Sequence, residues 1–227
     1  LIHETGQRGF HFVDEAAPPA ALKALALRLL ETGQTISWWG NIRFEEAFSP
    51  DLARLLAASG CIALTAGLEA ASDRLLEQMK KGITVDQTAR VAAAFRQAGI
   101  LVHAYLMYGC PGETIADTVD SLERVRQLFA GNLLQSAFWH KFTATAHSPI
   151  GLNPAAEHIT ILGPAFAGFA ENDLRHIDTR ADCPAWLGEG LRHAVLNYIE
   201  QAGLDLPVQR WFSPRVKPPR VARTWLK

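Results

Sequence analysis

The chain has 227 residues, 48% of them hydrophobic and 20% charged, the balance of a globular protein with one sizeable core. Lys plus Arg total 22 against 23 Asp plus Glu, and a net charge of -1 excludes a general electrostatic footprint for nucleic acid. No apolar run approaches the about 20 residues of a membrane span, and no charged n-region precedes an apolar one. A cytoplasmic protein with no membrane partner is therefore expected.

The opening LIHETGQRG lacks an initiating methionine and reads like the last turn of a helix that began earlier, so a fragment is expected. From residue 10 to about 140 the chain repeats a beat of short apolar run, turn and capped helical stretch, the pattern of βα units on a parallel sheet. Strands are predicted at 10–14, 35–39, 61–66, 101–108 and 134–139. Helix 18–32 begins with Pro18-Pro19 and stops before Gly33. Ser49-Pro50 caps the next, ending near Gly60, and Ser72 opens another that ends at Gly82. Thr84 and Gln87 form a capping box, and Thr114 caps a helix ending before Gly131. Past residue 150 the beat is lost: one strand is readable in GLNPAAEHITILGP and one helix at 191–202.

These signals predict an α/β fold with a first domain over 1–150 and a smaller C-terminal appended segment over 151–227. Near-continuous apolar strands suit a sheet covered by helices, either doubly wound or closed as a partial or complete TIM-like barrel. Periodicity does not choose between them.

In either architecture functional groups collect at the C-terminal ends of the strands. Those ends carry Asp14 and Glu15; Asn41 and Arg43; Glu69 and Ser72; the turn Gly109, Cys110, Pro111, Gly112 and Glu113; and the stretch 140–148. Gly109 and Gly112 let the backbone approach a ligand, and Glu113 offers a carboxylate. The same residues could equally stop a strand and cap a helix, Asp14-Glu15 could cap the helix that follows, and Glu69 could pair with Arg43 or Lys81. Acidic groups at three strand ends would suit a ligand bearing an amine or hydroxyls.

Cys61, Cys110 and Cys183 are too dispersed for a disulfide framework or a compact metal site, so reduced thiols are expected. The eight histidines include no HxH or HxxxH pair, and no metal ligands are assigned. His103 alternates with Tyr105 on its strand and reads as a hydrogen-bonded core histidine, and Trp38-Trp39 read as core and rim packing.

FHFVDEAAPP at 10–19, WWGNIRFE at 38–45, SGCIALTAGLEAASDRLLEQMKKGIT at 59–84 and AGILVHAYLMYGCPGET at 98–114 together resemble the radical SAM superfamily. The branch resembled contains methylthiotransferases, oxygen-independent coproporphyrinogen oxidase and cobalamin-binding enzymes. The resemblance implies a partial TIM-like (β/α) barrel that binds S-adenosylmethionine (SAM) and a 4Fe-4S cluster and, when intact, generates a 5′-deoxyadenosyl radical. A cobalamin domain upstream is also among its implications. Carried over to this sequence, it puts Asp14 and Glu15 by the SAM methionine amine, with Arg43 after the next strand. Glu69 meets the SAM ribose or methionine end, Lys81 faces the SAM carboxylate, and Ser72 and Tyr105 stand nearby. Gly109, Pro111, Gly112 and Glu113 make the turn by adenine.

The sequence departs from the family in three places. It has no CxxxCxxC, Ala70 replaces a serine common after Glu69, and Tyr105 stands where some relatives carry an acid. The chain is therefore expected to lack the first strand and cluster loop, to be inactive alone, and to act in the intact enzyme on a small-molecule or peptide substrate. A missing flanking strand would leave 10–14 as an apolar edge, expected to drive homo-oligomers or aggregation or to be covered by the C-terminal segment. The alternatives are a non-catalytic ligand-binding module, and an unrelated TIM-like hydrolase or aldolase using Glu69, Glu113 and Lys81.

Overall fold

The structure is a computed structural model that describes residues 1–163 and 172–226. A single turn, α1 (Ile2–Thr5), precedes β1 (Gly9–His11), and the βα beat then runs α2 (Pro19–Glu31), β2 (Ser37–Ile42), α3 (Pro50–Ala58) and β3 (Cys61–Glu69). It continues through α4 (Asp73–Gln78), α5 (Val85–Gln97), β4 (Leu101–Tyr108), α6 (Ile115–Ala130) and β5 (Ser136–Lys141). The five strands pair in sequence order, all parallel, and curl into a half-barrel.

Strand alternation sorts the side chains. Trp38, Leu64, Leu68, Val102 and Leu106 are buried under the helices with Leu56, Phe48, Phe95 and Phe129. Phe48 meets Phe95 edge-on at 5.4 Å, and each such buried ring contributes about 1.5–3 kcal/mol of transfer free energy. The intervening residues face the concave side. β3 puts only Ala63, Thr65 and Gly67 there before Glu69, so the floor of the half-barrel is low.

The caps follow the sequence with two differences. Ser49 accepts from Leu52 N, and Thr114 with Asp117 makes a full capping box on α6. Thr84 accepts from Gln87 N, but the Gln87 amide is drawn 2.6 Å to Phe44 O instead of returning to Thr84. Ser72 stands at the N-cap of α4 without a side-chain cap bond, and α4 stops at Gln78 rather than running to Gly82.

Beyond β5 the chain forms β6 (Ala144–Thr145), α7 (Pro149–Leu152), β7 (Ile159–Ile161), β8 (Asp173–Leu174), β9 (His176–Asp178) and α8 (Ala185–Ile199). β6 pairs with β8 and β7 with β9, both antiparallel. α8 packs on β5 and α6. It starts six residues before the predicted 191, because Gly188 and Gly190 lie against Tyr108 and Phe212 where a Cβ would collide. The tail then follows α6: Arg220 binds Asp117 at 2.9 Å and Asp120 at 2.7 Å, and Leu226 N donates to Gln127 at 2.9 Å. β1 is an edge strand of only three residues, and among the described residues no strand of the C-terminal segment pairs with it.

Candidate functional site at the strand ends

At the end of β3 the pairing with β4 shifts register between Gly67 and Glu69, and Glu69 takes φ 60, a left-handed conformation that costs a non-glycine residue about 1 kcal/mol. This turns the Glu69 side chain back over Gly67, where its Oε1 lies 2.6 Å from Lys81 Nζ. A Cβ on Gly67 would meet both groups, so the glycine is required by space rather than by dihedral. Arg43, just past β2, donates to the Lys81 carbonyl and fixes the backbone that carries the amine. Arg43, Glu69 and Lys81 are thus brought together.

Asn41, on the concave side of β2, donates to Asp14 O at 3.0 Å and so ties the chain after β1 to the sheet. Glu15 borders a hollow of about 250 Å³ whose other walls include Asn41, Thr65, Gly67 and Tyr105. Asp14 is exposed beside it, whereas Ser72 is buried beneath α4 and lines no part of this hollow.

The turn after β4 has Gly109 at φ 74 and Gly112 at φ 66, with Cys110 and Pro111 buried between them. Glu113 is expected from sequence to offer its carboxylate to a ligand, but the structure turns it inward. It accepts from Cys110 N at 2.9 Å and from Thr118 Oγ1 at 2.7 Å, and is 2% exposed. Burial pushes the Glu113 carboxyl above its ordinary range against the opposing pull of these hydrogen bonds. The outer side of the turn is covered by the end of β9 and the stretch after it: Asp178 takes the Gly112 N–H at 2.8 Å, Asp182 N donates to Glu113 O at 3.0 Å, and the missing Cβ of Gly109 leaves room for Cys183. No motif in 172–183 signals this cover.

Lower on the concave side, His103 Nδ1 lies 2.7 Å from Ser136 Oγ and its ring meets Tyr105 edge-on. Burial first, and His140 second, hold the His103 imidazole below its usual range. Trp38 is core, while Trp39 is 39% exposed and stacks on His11 at 4.8 Å. Among the described residues no three His, Cys, Asp or Glu side chains gather as a metal site. The Cys61 thiol is pushed up to about 12 by burial, and Cys110 is raised for the same reason. Of the residues named for a hydrolase or aldolase, Lys81 is paired with Glu69, and Glu113 is bound within the turn.

The radical SAM superfamily profile matches residues 32–125. Residues 32–125 are thus a radical SAM segment. The radical SAM segment covers Arg43, Glu69, Ser72, Lys81, Tyr105 and the turn from Gly109 to Glu113, while Asp14 and Glu15 precede it. An uncharacterised methyltransferase of Pyrococcus horikoshii is 25% identical over 63% of this chain and 36% of its own. An uncharacterised protein of Methanopyrus kandleri is 30% identical over 48% of this chain and 21% of its own. The radical S-adenosylmethionine methyltransferase TsrM of Kitasatospora setae, solved with cobalamin and a 4Fe-4S cluster, is similar in fold. Its TM-score is 0.57 at 19% identity, over 70% of this chain and 32% of TsrM. The chain thus spans about a third of the length of the first of these relatives and of TsrM. No helix among its described residues is long and apolar enough to cross a membrane.

Proposed function

We propose that this chain supplies the SAM-binding half-barrel of a radical SAM enzyme, with Glu15, Glu69 and Lys81 receiving the amino-acid end of SAM. The observation that carries the reading is the Glu69–Lys81 pair lying over Gly67, itself a wall of the hollow that Glu15 borders, within the segment that matches the family. A zwitterionic ligand end needs an acceptor for its ammonium and a donor for its carboxylate. Glu15 and Glu69 supply acceptors, and Lys81, its backbone fixed by Arg43, supplies the donor. Gly67 keeps the approach open, and Tyr105 walls its far side.

A 4Fe-4S cluster supplies reductive cleavage of SAM to a 5′-deoxyadenosyl radical when bound. The thiols here do not fit it: Cys61 and Cys110 are buried, and among the described residues no three ligand side chains gather to hold a metal. This chain's share is therefore to bind and orient SAM and to exclude water around it. The name of the archaeal relative and the cobalamin in TsrM support methyl transfer as the reaction class of the whole protein, with cobalamin as its second cofactor.

The test is equilibrium binding of SAM to the full-length protein together with iron analysis. Glu69→Ala is expected to weaken SAM with iron content unchanged. Unaltered affinity would remove Glu69 from the site, and absence of SAM binding by the wild-type protein would overturn the reading.

A further inference from the structure

β4 and β5 carry a patch on the concave side that runs on from Tyr105, the wall it shares with the SAM hollow, over residues that binding of the SAM amino-acid end leaves unused. His103, Tyr105, His140 and Phe138 form a continuous run of rings, with successive centroids 5.1, 5.6 and 4.6 Å apart. The rings meet at 80°, 51° and 57°, so none covers the face of the next. Tyr105 and Phe138, directly opposite each other in the parallel register, are 44% and 54% exposed. Contiguous apolar surface of this kind marks a binding face more often than a bare surface. At the edge of the sheet Phe138 also borders a cavity of about 630 Å³ that lies between β5 and α8 on the helix-packed side, with Tyr108, Trp139 and Leu196 among its walls and Glu189 and Arg192 exposed on α8. That is within the usual size of a small-molecule site.

The chemistry of the wall restricts what covers it. The inward positions of β4 and β5, from Leu101 to His140, carry no Asp, Glu, Lys or Arg. A charged group laid there would lose water without gaining a counter-charge. His103 is held by Ser136, and burial disfavours its charged form. An aliphatic ligand would cover the same area but gain nothing from exposed ring faces, whereas an aromatic one adds edge-to-face contact and can bond the imidazole of His140.

We infer that the substrate handled over this half-barrel is an uncharged planar ring system, an arene or nitrogen heterocycle, lying against Phe138, Tyr105 and His140. Its role as substrate rests on the SAM reading above. The competing planar group is the adenine of SAM itself, so the two must be measured together.

Indole and cyclohexylmethanol serve as probes of similar size, titrated by calorimetry into the full-length protein with and without saturating SAM. Indole is expected to bind more tightly than cyclohexylmethanol and to bind equally well with SAM present. Phe138→Leu, which keeps apolar volume and removes one ring, is expected to weaken indole by about 2- to 10-fold, the worth of one aromatic pair. SAM affinity should stay unchanged in that variant. Equal affinity for the two probes, indifference of indole to Phe138→Leu, or competition between indole and SAM would each overturn the inference. SAM binding in the same samples separates the failures: SAM bound without preference for indole overturns the substrate class alone, and absence of SAM binding overturns the function proposed above.

Discussion

Lys81 Nζ lies 2.6 Å from Glu69 Oε1, with both side chains only about one-fifth exposed, so an acid from the end of β3 and a base from the turn after α4 form one half-buried unit. Neither group can be moved without disturbing the other. Glu69→Ala is expected to lower SAM affinity about 10-fold, in the range of one charge-assisted hydrogen bond. Lys81→Met should do the same, and the double variant should lose less than the sum. Strict additivity in isothermal titration would show that the pair does not act as a unit.

Gly67→Ala tests the same geometry from the backbone side. The added methyl meets the Glu69 carboxylate and the Lys81 amine, so the pair must part while the strand stays formed. The expected result is SAM affinity reduced about as far as in Glu69→Ala with the melting temperature lowered by only a few degrees. Full SAM affinity in Gly67→Ala would mean that the ion pair is incidental to binding.

Glu113 gives the structure an unusual pH dependence. Burial raises its carboxyl above the ordinary value of 4.5, so the folded state holds its proton more tightly than the unfolded state. Its contribution is fully present below pH 4.5 and is lost as pH rises through the higher folded value. Glu113→Gln should remove this slope from denaturation curves. Glu113→Ala, which strands the buried Cys110 N–H, should cost about 1–3 kcal/mol at every pH. An unchanged slope in Glu113→Gln would assign it to another group.

Asp117 works in the opposite sense. Burial raises its carboxyl, but hydrogen bonds from Thr114 and pairing with Arg220 and Arg74 outweigh that and hold it below the ordinary 3.8. Its stabilisation is present above pH 3.8 and is lost as pH falls through the lower folded value. Asp117→Ala is expected to cost about 1–2 kcal/mol by removing the N3 half of the α6 capping box, while Asp120, which holds the backbone N–H and Nε of Arg220, keeps the tail in place, so that only Asp120→Ala should speed limited trypsin cleavage at Arg220.

Thiol chemistry should follow burial. Iodoacetamide at pH 8 is expected to modify Cys183, which is half-buried, slowly, and to leave Cys61 and Cys110 intact until the protein unfolds. Anaerobic reconstitution of residues 1–227 with iron and sulfide should give no stoichiometric cluster. Substantial iron with SAM cleavage would contradict the ligand assignment.

Much of the sheet was legible because buried parallel strands are apolar runs between good caps. The end of β4 and both ends of α6 fall where the sequence signals predict them. β2 and β5 were read two to three residues early because their C-terminal halves turn Asn41 and His140 toward the open side of a half-barrel, and polar inward positions look like strand ends. The start of α8 was missed because Gly188 and Gly190 argue against helix locally, while Tyr108 and Phe212 demand small residues there. Arg43, Glu69 and Lys81 were readable as neighbours. The inward turn of Glu113 and the cover from Asp178 depend on contacts across 66 residues, which no local pattern carries.

The turn after β4 meets whatever binds there already saturated. The N–H groups of Gly109 and Cys110 are directed to Glu113 and that of Gly112 to Asp178, while the carbonyls of Pro111 and Gly112 accept from Gln78 and Arg74. Its two left-handed glycines therefore offer a mould rather than a grip: a flat guest placed there would be accepted or refused by its outline, and repositioning a donor on it is expected to change affinity less than adding a methyl group to its edge.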